Sequence, residues 1–362
     1  MLMRTLLLLA ALIVGLSGCA GIREKPVFAL DVDATLAKRL MFPPEEDGEV
    51  PRYIYVGHLY GDRNIRDPEV AEKGPLDVLA RLLEFIKGEA PPNEIYRPQS
   101  GAIDAEGRIL VADRGTATLL VFDEKAATLE LWQQADGSRK FVSPVGVAVG
   151  PDGIVYVTDS ELGLVARLDR KGNSIGPIGK GHLTRPTGIA YDAKTRRIYV
   201  ADTGDHQIKL FDTEGGLLDA WGERGEGPGE FNFPTYVSIS GEKLYVADTM
   251  NARVQVLSTQ TGKHLATVGK MGMYIGNMVR PKGVAVDSEG NIYVVESYYD
   301  HLLVYNSKGE YLMAIGGVGT EPGKFHLPSG VWIDSHNRVF VADTLNSRVS
   351  VFQFLGGGSE SE

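Results

Sequence analysis

The sequence has a single cysteine, Cys19, in 362 residues. No intrachain disulfide can form, so apolar burial and backbone pairing must hold the fold together. A basic excess is also missing. Lys and Arg number 37 against 47 Asp and Glu, a formal net charge of −10. A chain without surplus cations has little with which to neutralise phosphates, which weighs against nucleic acid as a partner. Long apolar runs are equally scarce. The unbroken stretch Leu6–Val14 is shorter than the roughly 20 residues of a spanning helix. What remains, 43% hydrophobic and 23% charged residues, is enough for a substantial core in one large repeat domain or two ordinary ones.

The first nineteen residues bear on the compartment. Met1–Arg4 form a short positive start, Leu6–Val14 an apolar stretch, and Leu16, Ser17, Gly18 and Cys19 a small-residue site ending in cysteine. This resembles a bacterial lipoprotein signal with its lipobox. The resemblance implies removal of residues 1–18 and acylation of Cys19, which would hold the protein at a membrane surface through lipid. Ala20 stands where an aspartate would favour the inner membrane, so the periplasmic face of the outer membrane is favoured. Residues 19–50 are expected to be a tether. FPPEEDGEV (42–50) is rich in proline, acid and glycine, although VFALDVDATLAKRLMF (27–42) has apolar residues with which to dock. The closing GGGSESE, from 356 to 362, is expected to be a flexible tail.

Between these ends the chain repeats itself. Pro98, Pro144, Pro186, Pro234, Pro281 and Pro328 recur at spacings of 46, 42, 48, 47 and 47 residues, a period typical of propellers and solenoids. After each proline comes a short apolar run, such as GVAV (146–149) or GVWID (330–334). A turn and a second run ending in an acid follow, such as ILVAD (109–113), IYVAD (198–202) or IYVVE (292–296). Runs this uniformly apolar belong in sheets covered on both faces. Together with DTMNARV (248–254) and DTLNSRV (343–349), the motifs resemble NHL repeats over about residues 97–354. The copies diverge: Tyr236 replaces the repeat glycine in the fourth unit, and Glu296 replaces the second aspartate in the fifth.

Strand counting predicts how the domain closes. LLDAWG (217–222), HLATVG (264–269) and YLMAIG (311–316) read as fourth strands, but the sixth unit has none after Phe354. RYIYVG (52–57) has the right composition and no first three strands before it. The expectation is an all-β, six-bladed β-propeller of four-stranded antiparallel blades over 51–355, in which residues 52–57 complete the last blade and so remove an open sheet edge. Between this strand and Pro98, PLDVLARLLEFIKG (75–88) carries Leu76, Leu79, Leu82, Leu83 and Ile86 at helical spacing, which predicts a short inserted helix.

Chemistry is less legible. The aspartates that end second strands are read as turn acceptors, with Arg253 and Arg348 bracing those turns. His206 and His301, after Asp205 and Asp300, look equivalent and are weak candidates for metal ligation. A peptidyl-hydroxyglycine amidating lyase, a related propeller, binds zinc through histidines just after the innermost-strand prolines. The matching positions are Gln99, Val145, Thr187, Thr235, Lys282 and Ser329, and none is histidine. No cofactor and no catalytic residue is therefore assigned. A metal-dependent lyase or lactonase with its site in the channel is the alternative to a binding scaffold. Gln99, Thr187, Thr235, Lys282 and Ser329 should ring the channel mouth, with Arg97, Arg185, Arg280, Tyr236, Tyr298 and Tyr299 on the same face, presented to a protein, peptide or glycan of the envelope.

Overall fold

The structure is a computed structural model that describes residues 25–32, 40–44, 48–66 and 92–356. Within these residues the chain forms six antiparallel blades, each innermost strand touching the next around a ring. Pro98–Ile103, Pro144–Val149, Pro186–Asp192, Pro234–Ser240, Pro281–Val286 and Val331–Ile333 are the innermost strands. Proline lacks an N–H and suits the first residue of a strand. In five blades that proline pairs with the acid ending the second strand, as in Pro98 with Asp113 and Pro281 with Glu296.

Second strands are buried on both faces because each blade is covered by a neighbour on either side. Ile109–Asp113, Val155–Asp159 and Ile292–Glu296 are buried throughout, which is why they read as continuous apolar runs. Six apolar clusters, one per blade–blade interface, make up the core. Each includes a residue three positions before a repeat proline: Ile95, Phe141, Leu183, Phe231, Met278 and Phe325, none more than 7% exposed.

The second blade departs from the four-stranded plan. After Leu164–Leu168 the chain forms only bridges, Leu168 with Ser174 and Val165 with Ile178. Pro177 interrupts the ladder because it has no N–H to donate.

The sixth blade closes as the strand count requires. Tyr53–Leu59 pairs antiparallel with Arg348–Phe354, setting Tyr53 against Phe354, Tyr55 against Phe352 and Leu59 against Val349. Met41–Phe42 adds a fifth strand outside it. Part of the stretch expected to be tether is therefore docked. Val27–Phe28 pairs with Ile65–Arg66, and the Phe28 ring meets Phe122 edge-on at 6.4 Å. The apolar residues of 27–42 supply the reason: Val32, Leu40 and Phe42 pack against the core between the fifth and sixth blades. Cys19 and the sequence-predicted helix over 75–88 lie outside the described residues.

His58 makes this seam sensitive to acid. It is 7% exposed and its Nδ1 shares a hydrogen bond with the Tyr55 hydroxyl. Burial, reinforced by the Arg348 charge and opposed by Asp31, lowers its pKa to about 4. Its folded pKa lies below the unfolded value, so the unfolded chain binds the proton first. The stability it contributes is complete above pH ~6.5 and is lost as the pH falls towards 4. Lowering the pH from 7 to 5 should cost about 1–2 kcal/mol through this residue. His58→Gln should flatten that part of the stability–pH curve in denaturant melts.

Candidate functional site

Innermost strands begin, and second strands end, on one face of the ring, which is the entrance to the central channel. A latch repeated in every blade builds that face. The acid closing the second strand accepts N–H groups from the residues just before the proline: Val142 and Ser143 on Asp159, Thr184 and Arg185 on Asp202, Val279 and Arg280 on Glu296. Asp113 serves Arg97, Asp248 serves Asn232 and Asp343 serves His326 in the same way. Glu296 thus does the work of the missing aspartate. Arg253 and Arg348 brace the latch, as the sequence predicts. Arg348 donates from Nε to Asp343 at 2.8 Å and from its other nitrogens to the carbonyls of Thr320, Glu321 and Lys324.

Most residues expected to ring the mouth are committed to the fold. Thr187 shares a hydrogen bond with Thr203 at 2.7 Å and donates to the Thr235 carbonyl of the next blade. Thr235 pairs with Thr249, and Ser329 is fully buried and bonds the Gln99 carbonyl at 2.8 Å. Gln99 turns its side-chain amide back to the carbonyls of Arg97 and Pro98. Where the sequence suggests a solvated polar ring, these four side chains meet protein partners: Thr187 and Ser329 tie their blades to the next, and Thr235 and Gln99 bond within their own.

Tyr236 closes the channel. At the position it occupies, Gly146, Gly188, Gly283 and Gly330 press against the following blade, and a Cβ at Gly146 would lie 2.3 Å from the Thr187 carbonyl oxygen. The fourth blade has Tyr236 instead, whose hydroxyl donates across the channel to the Gln99 carbonyl of the opposite blade at 2.9 Å. Burial raises its pKa, so the hydroxyl remains a neutral donor. Beyond it lies a cavity of about 340 Å³, lined by the innermost strands and by Trp332. Gly101 makes room for this indole, since a Cβ there would sit 2.5 Å from the ring.

Lys282 is different. It is partly buried at the mouth, and among the described residues its ammonium has neither an ion pair nor a side-chain hydrogen bond. Burial lowers its pKa, and the positive charges of Arg280 and Arg114 lower it further. Arg280 and Arg185 are exposed on the same face, and Arg97 lies over the Tyr96 ring at 5.6 Å. Arg114, which sequence reasoning passed over, follows a second-strand aspartate, and only the three-dimensional latch shows that this position faces the channel mouth.

The histidines are not equivalent. Strand register sets His301 opposite Glu296 and Gln207 opposite Asp202, so His206 corresponds to Asp300. His206 and Asp300 both have φ of +57°. Both accept the amide preceding the next blade's proline, from Phe233 on His206 Nδ1 at 3.2 Å and from Leu327 on Asp300. They are latches between blades. His301 opens a third strand, and burial lowers its pKa. Among the described residues no three His, Cys, Asp or Glu side chains gather as metal ligands. The residues after the prolines do not fit the zinc of the amidating lyase, because three of them are hydroxyl residues held by the fold and one is an ammonium. Gly172–Gly176 spells Gly-x-Ser-x-Gly, but Ser174 lies in the bridged edge of the second blade and its hydroxyl oxygen accepts the Gly176 amide at 3.4 Å. It is not on the strand-to-helix elbow a nucleophile requires.

Exposed apolar side chains also gather on the entrance face. The connection from the fourth to the fifth blade carries Met271, Met273, Tyr274 and Ile275, from 67% to 84% exposed. The corresponding connection into the fourth blade reads Glu-Arg-Gly-Glu-Gly-Pro-Gly-Glu (223–230). Met250 and Tyr298, which follow second strands, add 53% and 55% exposed surface, and Tyr299 meets Tyr298 edge-on at 4.9 Å.

Comparison with protein families matches residues 141–166 and 183–211 to the NHL repeat and residues 282–362 to a 6-bladed beta-propeller model. Two of the six units thus match the NHL repeat. Among curated proteins, peptidylglycine alpha-amidating monooxygenase of Rattus norvegicus is 30% identical over 40% of this chain and 16% of its own length. NHL repeat-containing protein 3 of Homo sapiens is 29% identical over 45% and 52%. The aligned part of this chain thus spans about half or less of these relatives. Among solved structures, a gluconolactonase of Xanthomonas campestris aligns with a TM-score of 0.57 over 92% of this chain and 99% of that one, at 14% identity. Virginiamycin B lyase of Staphylococcus aureus aligns with a TM-score of 0.53 over 73% and 97%, at 13% identity. At these identities the likeness is one of fold.

Proposed function

We propose that this protein is a lipid-anchored binding scaffold of the bacterial cell envelope, facing the periplasm, that presents the channel-entrance face of its NHL propeller to a protein, peptide or glycan. One observation carries the reading: exposed apolar side chains share a face with Lys282, Arg280 and Arg185, which have no ion-pair partner among the described residues, while other polar groups there are tied into the fold. Large exposed apolar patches on an otherwise polar surface mark interaction sites. The lipobox-like sequence supports the anchor, with Cys19 as the lipidated residue. No helix of the described residues is long and apolar enough to cross a membrane.

A photo-crosslinking residue at Tyr298, on the entrance face, should capture a discrete partner in intact envelopes. The same residue at Glu289, in the turn on the opposite face, should not. Equal capture from both positions overturns the assignment of the face. Palmitate labelling that persists in Cys19→Ser overturns the anchor.

A further inference from the structure

We propose that the propeller stands on the membrane by its rim, with the outer groove between the sixth and first blades turned to the lipid surface and the entrance face looking along the bilayer. The inference rests on the lipid-anchor reading and adds where on the propeller the anchor is fixed.

The chain after Cys19 is built into the propeller within a few residues. A free tether over 19–50 could hold the domain as far as ~100 Å from its acylated end. Instead, Val27–Phe28 pairs with Ile65–Arg66, and the Ala29 amide donates to the Asn64 carbonyl at 2.8 Å. Asn64, fully buried, donates its side-chain amide to the carbonyls of Ala29 and His58 at 3.0 Å. Asp31 and His58 exchange backbone hydrogen bonds. Gly57 makes room for this segment, since a Cβ there would meet Leu30 at 2.8 Å and the Asp31 carbonyl oxygen at 3.2 Å. Farther on, the Leu40 carbonyl accepts the Tyr55 amide at 2.9 Å, and the Phe42 ring meets Phe352 edge-on at 5.8 Å.

Length and position then set the orientation. Five residues separate Cys19 from Lys25, so the acylated residue lies within roughly 20 Å of the docked segment. A compact domain of this size is on the order of 50 Å across, so the stem is shorter than the domain is wide. It also leaves from the side wall rather than from either channel mouth: Phe28 and Leu30 pack against the core shared by the sixth and first blades, with the Phe28 ring on Phe122 at 6.4 Å. These two blades are therefore held at the bilayer. The third and fourth, across the ring, are held away from it. With the rim toward lipid, the channel axis runs along the membrane and the entrance face meets proteins of the same membrane surface.

The test uses the mature lipidated protein in phosphatidylethanolamine–phosphatidylglycerol vesicles with rhodamine on a fraction of the headgroups. Acylated Cys19 leaves no free thiol, so one introduced cysteine takes one donor dye. Leu131→Cys lies on the outer strand of the first blade and Leu218→Cys on that of the third, at 37% and 50% exposure. Energy transfer to the lipid should be at least about twofold greater from position 131. Inserting about thirty Gly/Ser residues between Glu24 and Lys25 lengthens the stem without touching the docked segment, and should bring the two efficiencies together.

Equal transfer from both positions without the insertion, or greater transfer from position 218, overturns the rim seating and leaves the anchor standing. Mass spectrometry that finds Cys19 unacylated overturns the anchor and the seating with it. A difference that survives the insertion overturns the short stem as the cause of the orientation.

Discussion

Replacing residues 50–60 with a flexible Gly/Ser stretch should abolish cooperative folding of the whole propeller, although the segment lies far from most of it in sequence. Tyr53, Tyr55 and Leu59 are each no more than 2% exposed. Returning three such side chains to water costs roughly 5 kcal/mol or more, against a total stability of about 5–15 kcal/mol for a typical domain. The loss also spreads. Tyr53 packs edge-on to Tyr293 of the fifth blade at 6.0 Å and shares a hydrogen bond with its hydroxyl at 3.0 Å. Leu59 belongs to the core between the sixth and first blades. Removing the strand therefore opens two interfaces and leaves Arg348–Phe354 as an unpaired edge prone to intermolecular pairing. The expected result is loss of the thermal unfolding transition together with aggregation. An exposed size-matched change, Leu218→Ala at 50% exposure, should shift stability by less than about 0.5 kcal/mol. A variant that lacks the strand yet melts like the parent would show that the ring is held elsewhere.

This seam was legible because a propeller imposes arithmetic. A sixth unit with no fourth strand after Phe354 requires a donor, and residues 52–57 have the composition for it. The expected strand ended at Gly57, while the structure continues it to Leu59. The two extra residues are the ones that reach the interface with the first blade and the Asp31 segment. Less accessible was the buried position three residues before each proline. Its occupants differ, from Ile95 to Met278 to Phe325, and no shared residue type marks it. The pattern emerges only when all six prolines are aligned and the loops between blades are treated as part of the core.

The site was harder to read for a different reason. Residue type told which side chains could bind a ligand, but not which were already engaged. Thr187, Thr235 and Ser329 look like solvent-facing hydroxyls in sequence, and the ring geometry turns them onto neighbouring backbone and hydroxyl groups. The Asp-His pairs at 205–206 and 300–301 invited a match by dipeptide. A left-handed residue four positions after each second-strand acid sets the true register, with φ of +57° at His206 and Asp300, and the match is off by one. Lys282 stands out for the opposite reason: among the described residues no anion pairs with it.

Arg348→Met should produce the largest loss expected from a single substitution. Its side chain is 3% exposed, Asp343 is completely buried, and their Nε–Oδ2 distance is 2.8 Å. Removing one partner of a buried pair leaves an uncompensated charge and costs about 3–5 kcal/mol. Three carbonyls also lose their donors, those of Thr320, Glu321 and Lys324, and with them the connection that sets Phe325 into the core. Arg253→Met should cost less, because Arg253 is 16% exposed and Gln255 also donates to Asp248, at 3.1 Å. The pH dependence identifies the cause. Burial raises the pKa of Asp343, opposed by the His326 amide and by Arg348. Without the guanidinium that pKa rises further above its unfolded value, so the folded variant takes up the proton first and gains stability as the pH falls. The deficit relative to the parent should shrink between pH 7 and about 4 in urea melts. Asp343→Asn combined with Arg348→Met should be less damaging than the sum of the single changes, since neither partner then leaves the other charged and alone. A deficit independent of pH would assign the loss to the three carbonyls rather than to the ion pair.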